Sequence, residues 1–290
     1  MRAMRGARRV STWSAVQRFL FGRPVASGAI AAVMPELPLR INSAEGSRLI
    51  GGEVYPMAAA LCRHLAEARH AHALASGVDV LELGSGTGAV GLFAAGLGAR
   101  VTLSDKEVAR FALEPVAYAT DGSIELADGT SDALLRNLRR NVAANRELLR
   151  HEPHVAELDW TDAEQVARAV RESPTGEGFA LVLGSDVTYE IATHTYLART
   201  ISSLLRRRGA EIGKSAAAAD REASREGGAA GAGGVALLAH EQRRTSLSGA
   251  DPQLESFVAA ARDAGLQVGC SELAGVQEGS TGTLLELSWP

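Results

Sequence analysis

The chain has 290 residues, a formal charge of −4 and 46% apolar residues, enough to bury a full core and ordinary for a globular protein. This mild acidity is no footprint for nucleic acid, and no apolar run is long enough to span a bilayer. Cys62 and Cys270 are far apart, so two buried thiols are expected rather than a disulfide framework. The first 35 residues carry arginines at 2, 5, 8, 9, 18 and 23 and no acid before Glu36. They read as a disordered basic tail or as a transit peptide. The expected location is the cytoplasm, with a mitochondrion or plastid as the alternative if the segment targets.

Residues 36–290 read as one catalytic domain with insertions at about 108–130 and 209–234. Residues 37–41 form a short predicted strand, with 49–50 as its partner. Pro56 opens an apolar helix running to about residue 74, with proline suited to the first turn. His64, His70 and His72 fall on that helix, but no acid or cysteine is seen to complete a ligand set, so no metal is expected.

Residues 78–83 are a buried-strand run. Gly84, Gly86 and Gly88 follow, then an apolar-periodic helix over 89–97. Strand, tight glycine turn and helix N-terminus make a nucleotide-cofactor cradle. Gly86 to Gly91 also satisfies G-x-G-x-x-G, which alone is weak evidence for a dinucleotide. Glu82, two residues before the first glycine, suits the cationic amino-acid tail of S-adenosylmethionine better than a diphosphate. Asp105 ends the next apolar run, where a carboxylate can accept both hydroxyls of an adenosine ribose.

Asp121-Gly and Asp128-Gly mark turns, so the first insertion reads as a small hairpin arm around 123–126. A helix spans about 133–149. Residues 155–160 form a strand ending in Asp159 and Trp160, whose indole can stack on an adenine. A helix over 162–172 leads to a buried strand ending in Ser185-Asp186-Val-Thr-Tyr189. In an open α/β sheet, ligands bind outside the carboxyl ends of the strands, so these residues share an edge with the glycine turn. A helix over 191–207 ends in arginines that complement its dipole. A fifth strand over 235–240 ends at His240, read as a satisfied edge histidine. A helix over 254–264 and two pairing strands, 266–270 and 283–288, close the chain.

Together Leu81-Glu-Leu-Gly-Ser-Gly-Thr-Gly88, Val101-Thr-Leu-Ser-Asp105, Leu138-Arg-Arg-Asn-Val142, Leu158-Asp-Trp160 and Gly184-Ser-Asp-Val-Thr-Tyr189 resemble the seven-β-strand protein methyltransferases with a D-x-x-Y motif. Most of these methylate lysine side chains of other proteins. The resemblance covers most of the chain from about residue 37, apart from the two insertions. It implies a Rossmann-like α/β fold: a seven-stranded, mostly parallel sheet flanked by helices, its last strand antiparallel. It implies S-adenosylmethionine as cofactor, held by Tyr55, Glu82, Gly84, Ser85, Gly86, Gly88, Asp105, Asp159, Trp160 and Ser185. The family usually has tryptophan where Tyr55 stands. Asp186 and Tyr189 would orient the acceptor amine and line its channel.

The implied partner is a protein offering a lysine; no nucleic acid and no membrane are expected, and the chain would act as a monomer. Histidine or a small molecule is the alternative acceptor. A nucleotide-dependent oxidoreductase is disfavoured by Glu82 and by the lack of a hydride-transfer constellation. A cofactor-binding scaffold without catalysis is the alternative of another class.

Overall fold

A computed structural model of the chain describes residues 39, 41, 51–52, 54–106, 116–118, 124–126, 133–207, 233–242, 250–273 and 281–290. The Arg-rich start, most of the predicted strand over 37–41, its partner 49–50 and nearly all of the Gly/Ala-rich insertion lie outside these residues; Leu39 and Ile41 are buried. The elements are α1 (Pro56–Leu65), α2 (Ala68–Ala75), β1 (Asp79–Leu83), α3 (Ala89–Gly96), β2 (Arg100–Asp105), β3 (Val116–Tyr118), β4 (Ile124–Leu126), α4 (Ala133–Asn145), β5 (His154–Glu157), α5 (Ala163–Arg171), β6 (Leu181–Ser185), α6 (His194–Leu204), β7 (Val235–Glu241), α7 (Pro252–Asp263), β8 (Gln267–Leu273) and β9 (Gly282–Ser288).

Seven strands form one sheet in the order β5-β2-β1-β6-β7-β9-β8. All neighbours are parallel up to β7, and β9 runs antiparallel between β7 and β8. This is the Rossmann-like sheet expected from sequence. Every residue of β1 is buried, as a central parallel strand covered on both faces must be. One core packs α1 and α3 against the sheet, with Leu61, Phe93 and Leu103 inside it. A second core packs α6 and α7 on the other face through Leu197, Ile201 and Phe257. Helix α3 has seven of its eight residues buried, which explains an apolar run with no polar face. Helices α5 and α7 are capped by Asp162 and Asp251, each accepting two backbone N–H bonds, and Pro252 starts α7 without losing a bond.

Four local expectations change. The helix predicted over 56–74 breaks at Ala66-Glu67 into α1 and α2. The helix predicted over 191–207 begins as a 3-10 turn and ends at Leu204. Arg206 therefore does more than complement a dipole: its guanidinium lies 3.2 Å from Asp79, which Arg100 also meets at 2.7 Å. That carboxylate is 4% exposed, so two cations offset the burial of one anion. Cys270 is exposed rather than buried, because β8 is the sheet's outer strand; Cys62 is buried as expected. The first insertion does contain a hairpin, β3 with β4, joined antiparallel.

Candidate active site

The register of the parallel strands builds the site. Leu83 of β1 pairs with Ser104 of β2 and Gly184 of β6. Gly84, Asp105 and Ser185 are therefore brought to one edge, where the strand order reverses between β1 and β6. The glycine turn is held from below: Ser85 N–H donates to Ser104 O at 2.8 Å, and the Ser85 hydroxyl donates to Glu82 O at 3.2 Å. From the side, Asn141 Nδ2 donates to Thr87 O at 2.8 Å. Asn141 is fully buried, so its role in the Leu-x-x-Asn-Val stretch is to fix the turn.

Gly86 has φ of 53°, and a Cβ there would lie 2.6 Å from Gly51 O. Gly51, which sequence reasoning missed, presses its backbone onto the turn. Gly86→Ala combines left-handed strain of about 1–2 kcal/mol with a backbone collision, so the turn must open. Cofactor affinity is expected to fall at least about tenfold, measurable by calorimetry; unchanged affinity would mean that the turn does not grip the ligand.

The two acids have different settings. Glu82 is 2% exposed and lies beneath the turn, its Oε2 accepting from Gly91 N–H at 3.1 Å. Burial pushes its pKa up to about 8, opposed by hydrogen bonds from Ser85 and Gly91. It braces the N-terminal turn of α3. Asp105 Oδ2 accepts from Gly86 N–H at 2.7 Å and Oδ1 from Lys106 N–H at 2.8 Å. Burial raises its pKa to about 6. A carboxylate offers about four acceptor positions, so two remain for a ribose diol.

Beyond β6, Asp186 is the only non-glycine with positive φ, 54°, among the described residues. Its N–H donates to Ala239 O at 2.9 Å. It does not cap the next helix, whose cap position is Thr193. Val187 turns under Gly84; a Cβ on that glycine would lie 2.9 Å from Val187 and 3.7 Å from Trp160. Trp160 thus lies over the turn while packing on the second core, and its carbonyl accepts from Thr200 Oγ1 at 3.2 Å. Asp159 is more structural than the sequence suggested, its Oδ1 accepting from both the N–H and the hydroxyl of Thr161. Tyr55 is 42% exposed at the start of α1. The Tyr189 phenol has its pKa raised by partial burial and by the charges of Glu190 and Asp105 and the phenol of Tyr55. The Tyr189 phenol therefore lies within electrostatic reach of both Asp105 and Tyr55.

Sequence reasoning missed what anchors this segment. Thr188 is buried between two histidines. Its Oγ1 is 2.7 Å from His240 Nδ1, and His240 Nε2 is 2.9 Å from Asp251 Oδ2. A carboxylate only accepts, so the tautomer with hydrogen on Nε2 satisfies both contacts, and Thr188 donates to Nδ1. Thr188 O accepts from His194 Nε2 at 3.1 Å, and Tyr189 O from Gln253 Nε2 at 2.6 Å. Burial lowers the pKa of His194, which keeps its ring neutral. Asp251-Pro252 before an apolar run was the one available signal, an N-cap signature.

A family model described as lysine methyltransferase matches residues 33–119 and 111–213. A protein N-terminal and lysine N-methyltransferase, efm7, of Emericella nidulans is 27% identical over 143 residues, 48% of this chain and 47% of the relative. The protein N-lysine methyltransferase METTL21A of Mus musculus is 34% identical over 134 residues, 44% of each chain. The chain thus spans about half the length of the curated relatives it matches. Among solved structures, the glycopeptide N-methyltransferase MtfA complexed with sinefungin has a TM-score of 0.48 at 14% identity, covering 92% of this chain and 98% of that one.

Proposed function

The chain belongs to the lysine methyltransferase family, and from that premise we propose that it transfers a methyl group from S-adenosylmethionine to a lysine side chain of another protein. One observation carries the reading: Asp186 and Tyr189 follow β6, directly beside the glycine turn that follows β1. The chain's own residues fit the cofactor. Gly86 leaves no space for a side chain, Asp105 keeps acceptor positions for a diol, and Trp160 and Tyr55 offer rings beside it.

When bound, S-adenosylmethionine supplies the electrophilic methyl group. A free lysine has a pKa of ~10.4, so holding it neutral near pH 7.4 costs about 4 kcal/mol. The Asp186 carboxylate accepts an N–H of the incoming amine and aims its lone pair along the transfer line. The Tyr189 phenol stays protonated, and its oxygen can accept a second N–H. Partial burial around Tyr189 disfavours the ammonium form, which offsets the preference of Asp186 for it.

Asp105 gives the reading a pH dependence. Diol hydroxyls donate to the ionised carboxylate and lower its pKa, so binding releases a proton. Affinity for S-adenosylmethionine is then expected to rise with pH through about 6 and level off once free Asp105 is ionised. Calorimetry from pH 5 to 8 checks this, with Asp105→Asn flattening the profile; a flat profile in the unmodified protein removes Asp105 as the ribose ligand.

The test of function is incubation of the purified protein with labelled S-adenosylmethionine and a cell lysate. Label on a lysine ε-amine, absent with Asp186→Asn, is the expected result. Label on an α-amine or a histidine overturns the acceptor, and cofactor binding without any protein label overturns protein methylation.

A further inference from the structure

A separate polar cluster lies where α1 gives way to α2. Helix α1 starts five residues after Gly51, whose backbone meets the glycine turn, and runs ten residues, roughly 15 Å, so His64 lies toward its far end. The His64 and His70 rings approach to 4.6 Å between centroids at 47°. Glu67, between them in sequence, supplies an acid beside these histidines that the sequence reading did not find. Its Oε1 lies 3.2 Å from His64 Nδ1, and one donor atom from each of the three residues lies within 4.8 Å of the others.

The decisive observation concerns the far nitrogens. The Nε2 atoms of both histidines are buried and have no hydrogen-bond partner. His64 as a whole has its side chain only 10% exposed. Buried polar atoms without partners are rare, and an ion is one of the few things that account for two of them on neighbouring rings. The Glu67 contact supplies the rest: a carboxylate accepting from Nδ1–H leaves the Nε2 lone pair free, as in carboxylate–histidine–metal arrangements.

We propose that this corner binds a divalent transition-metal ion of the zinc class, with His64 Nε2 and His70 Nε2 as ligands. Glu67 orients the His64 ring, and water fills the remaining positions. Imidazole ligands suit zinc, copper and nickel over magnesium or calcium. The ion would tie α1 to α2 across the break at Ala66-Glu67, so its role is structural and independent of methyl transfer. His72, two residues on, is exposed and takes no part.

The test uses the full chain, treated with chelator, desalted and titrated with Zn²⁺ by calorimetry and with Co²⁺ by visible absorption. One equivalent is expected to bind and to raise the melting temperature. His70→Ala and His64→Gln should each weaken binding at least tenfold, Glu67→Gln by less, and His72→Ala not at all. S-adenosylmethionine affinity, unchanged in these variants, shows that they fold. Absence of saturable binding, or binding that survives His70→Ala, overturns the proposal.

Discussion

Replacing Asp186 by asparagine is expected to slow methyl transfer about a hundredfold or more while leaving S-adenosylmethionine affinity nearly unchanged. The choice of asparagine follows from the backbone. Asp186 sits at φ 54°, a region that Asn and Asp tolerate better than other side chains. Alanine would add strain of about 1–2 kcal/mol at the same position and confuse folding with chemistry. Asparagine keeps the shape, the turn and one acceptor oxygen, and removes the charge proposed to orient the amine. Single-turnover transfer of label, measured beside calorimetric cofactor binding, separates the two effects. Retention of transfer within about threefold would reduce Asp186 to a backbone role.

His240→Ala should have the largest effect on stability. The Asp251 carboxylate is 8% exposed and would lose its partner on Oδ2, while the buried Thr188 hydroxyl would lose its acceptor. Leaving a buried acceptor or hydroxyl without its partner costs about 1–3 kcal/mol each, about 2–6 kcal/mol together, which for a domain of this size lowers the melting temperature by roughly 4–24 °C. The loss should also reach the reaction, because Thr188 lies between Asp186 and Tyr189. Transfer is expected to fall at temperatures where the variant is still folded, and His240→Gln, which keeps hydrogen-bonding capacity, should recover part of both losses. A melting shift below about 2 °C would show that the network bears little strain.

The legible parts of this chain were those set by local rules. Strand β1, the glycine turn and α3 follow from one apolar run and three glycines. Asp162 announces its helix as an N-cap. The placement of Asp105, Asp186 and Tyr189 at one edge needed only strand order and the carboxyl-end rule. For residues that depend on distant partners, the partners were not legible, even where a satisfied histidine was expected at 240. His240 is defined by Thr188 and Asp251, and Arg206 by Asp79, more than a hundred residues earlier. Cys270 was expected to be buried because two distant cysteines suggest free buried thiols, and only the sheet order puts it on an outer strand. The break between α1 and α2 carries no glycine or proline, so periodicity ran straight through it. Glu82 was expected at a ligand tail; that its carboxylate also accepts from Gly91 N–H, seven residues past Gly84, was not legible.

The pairing of β1 with β6 joins Val80 to Leu181, across roughly a hundred residues of intervening chain. Closing a loop of that length is entropically slow, and parallel pairing offers no hairpin to shorten it. The glycine turn arrives early in synthesis, while the Asp186 segment is tethered by β7 and α7, which come roughly fifty residues or more later. A nascent chain can therefore form the glycine turn before the Asp186 segment has its anchors, and that edge of the sheet is completed only once the C-terminal third has docked.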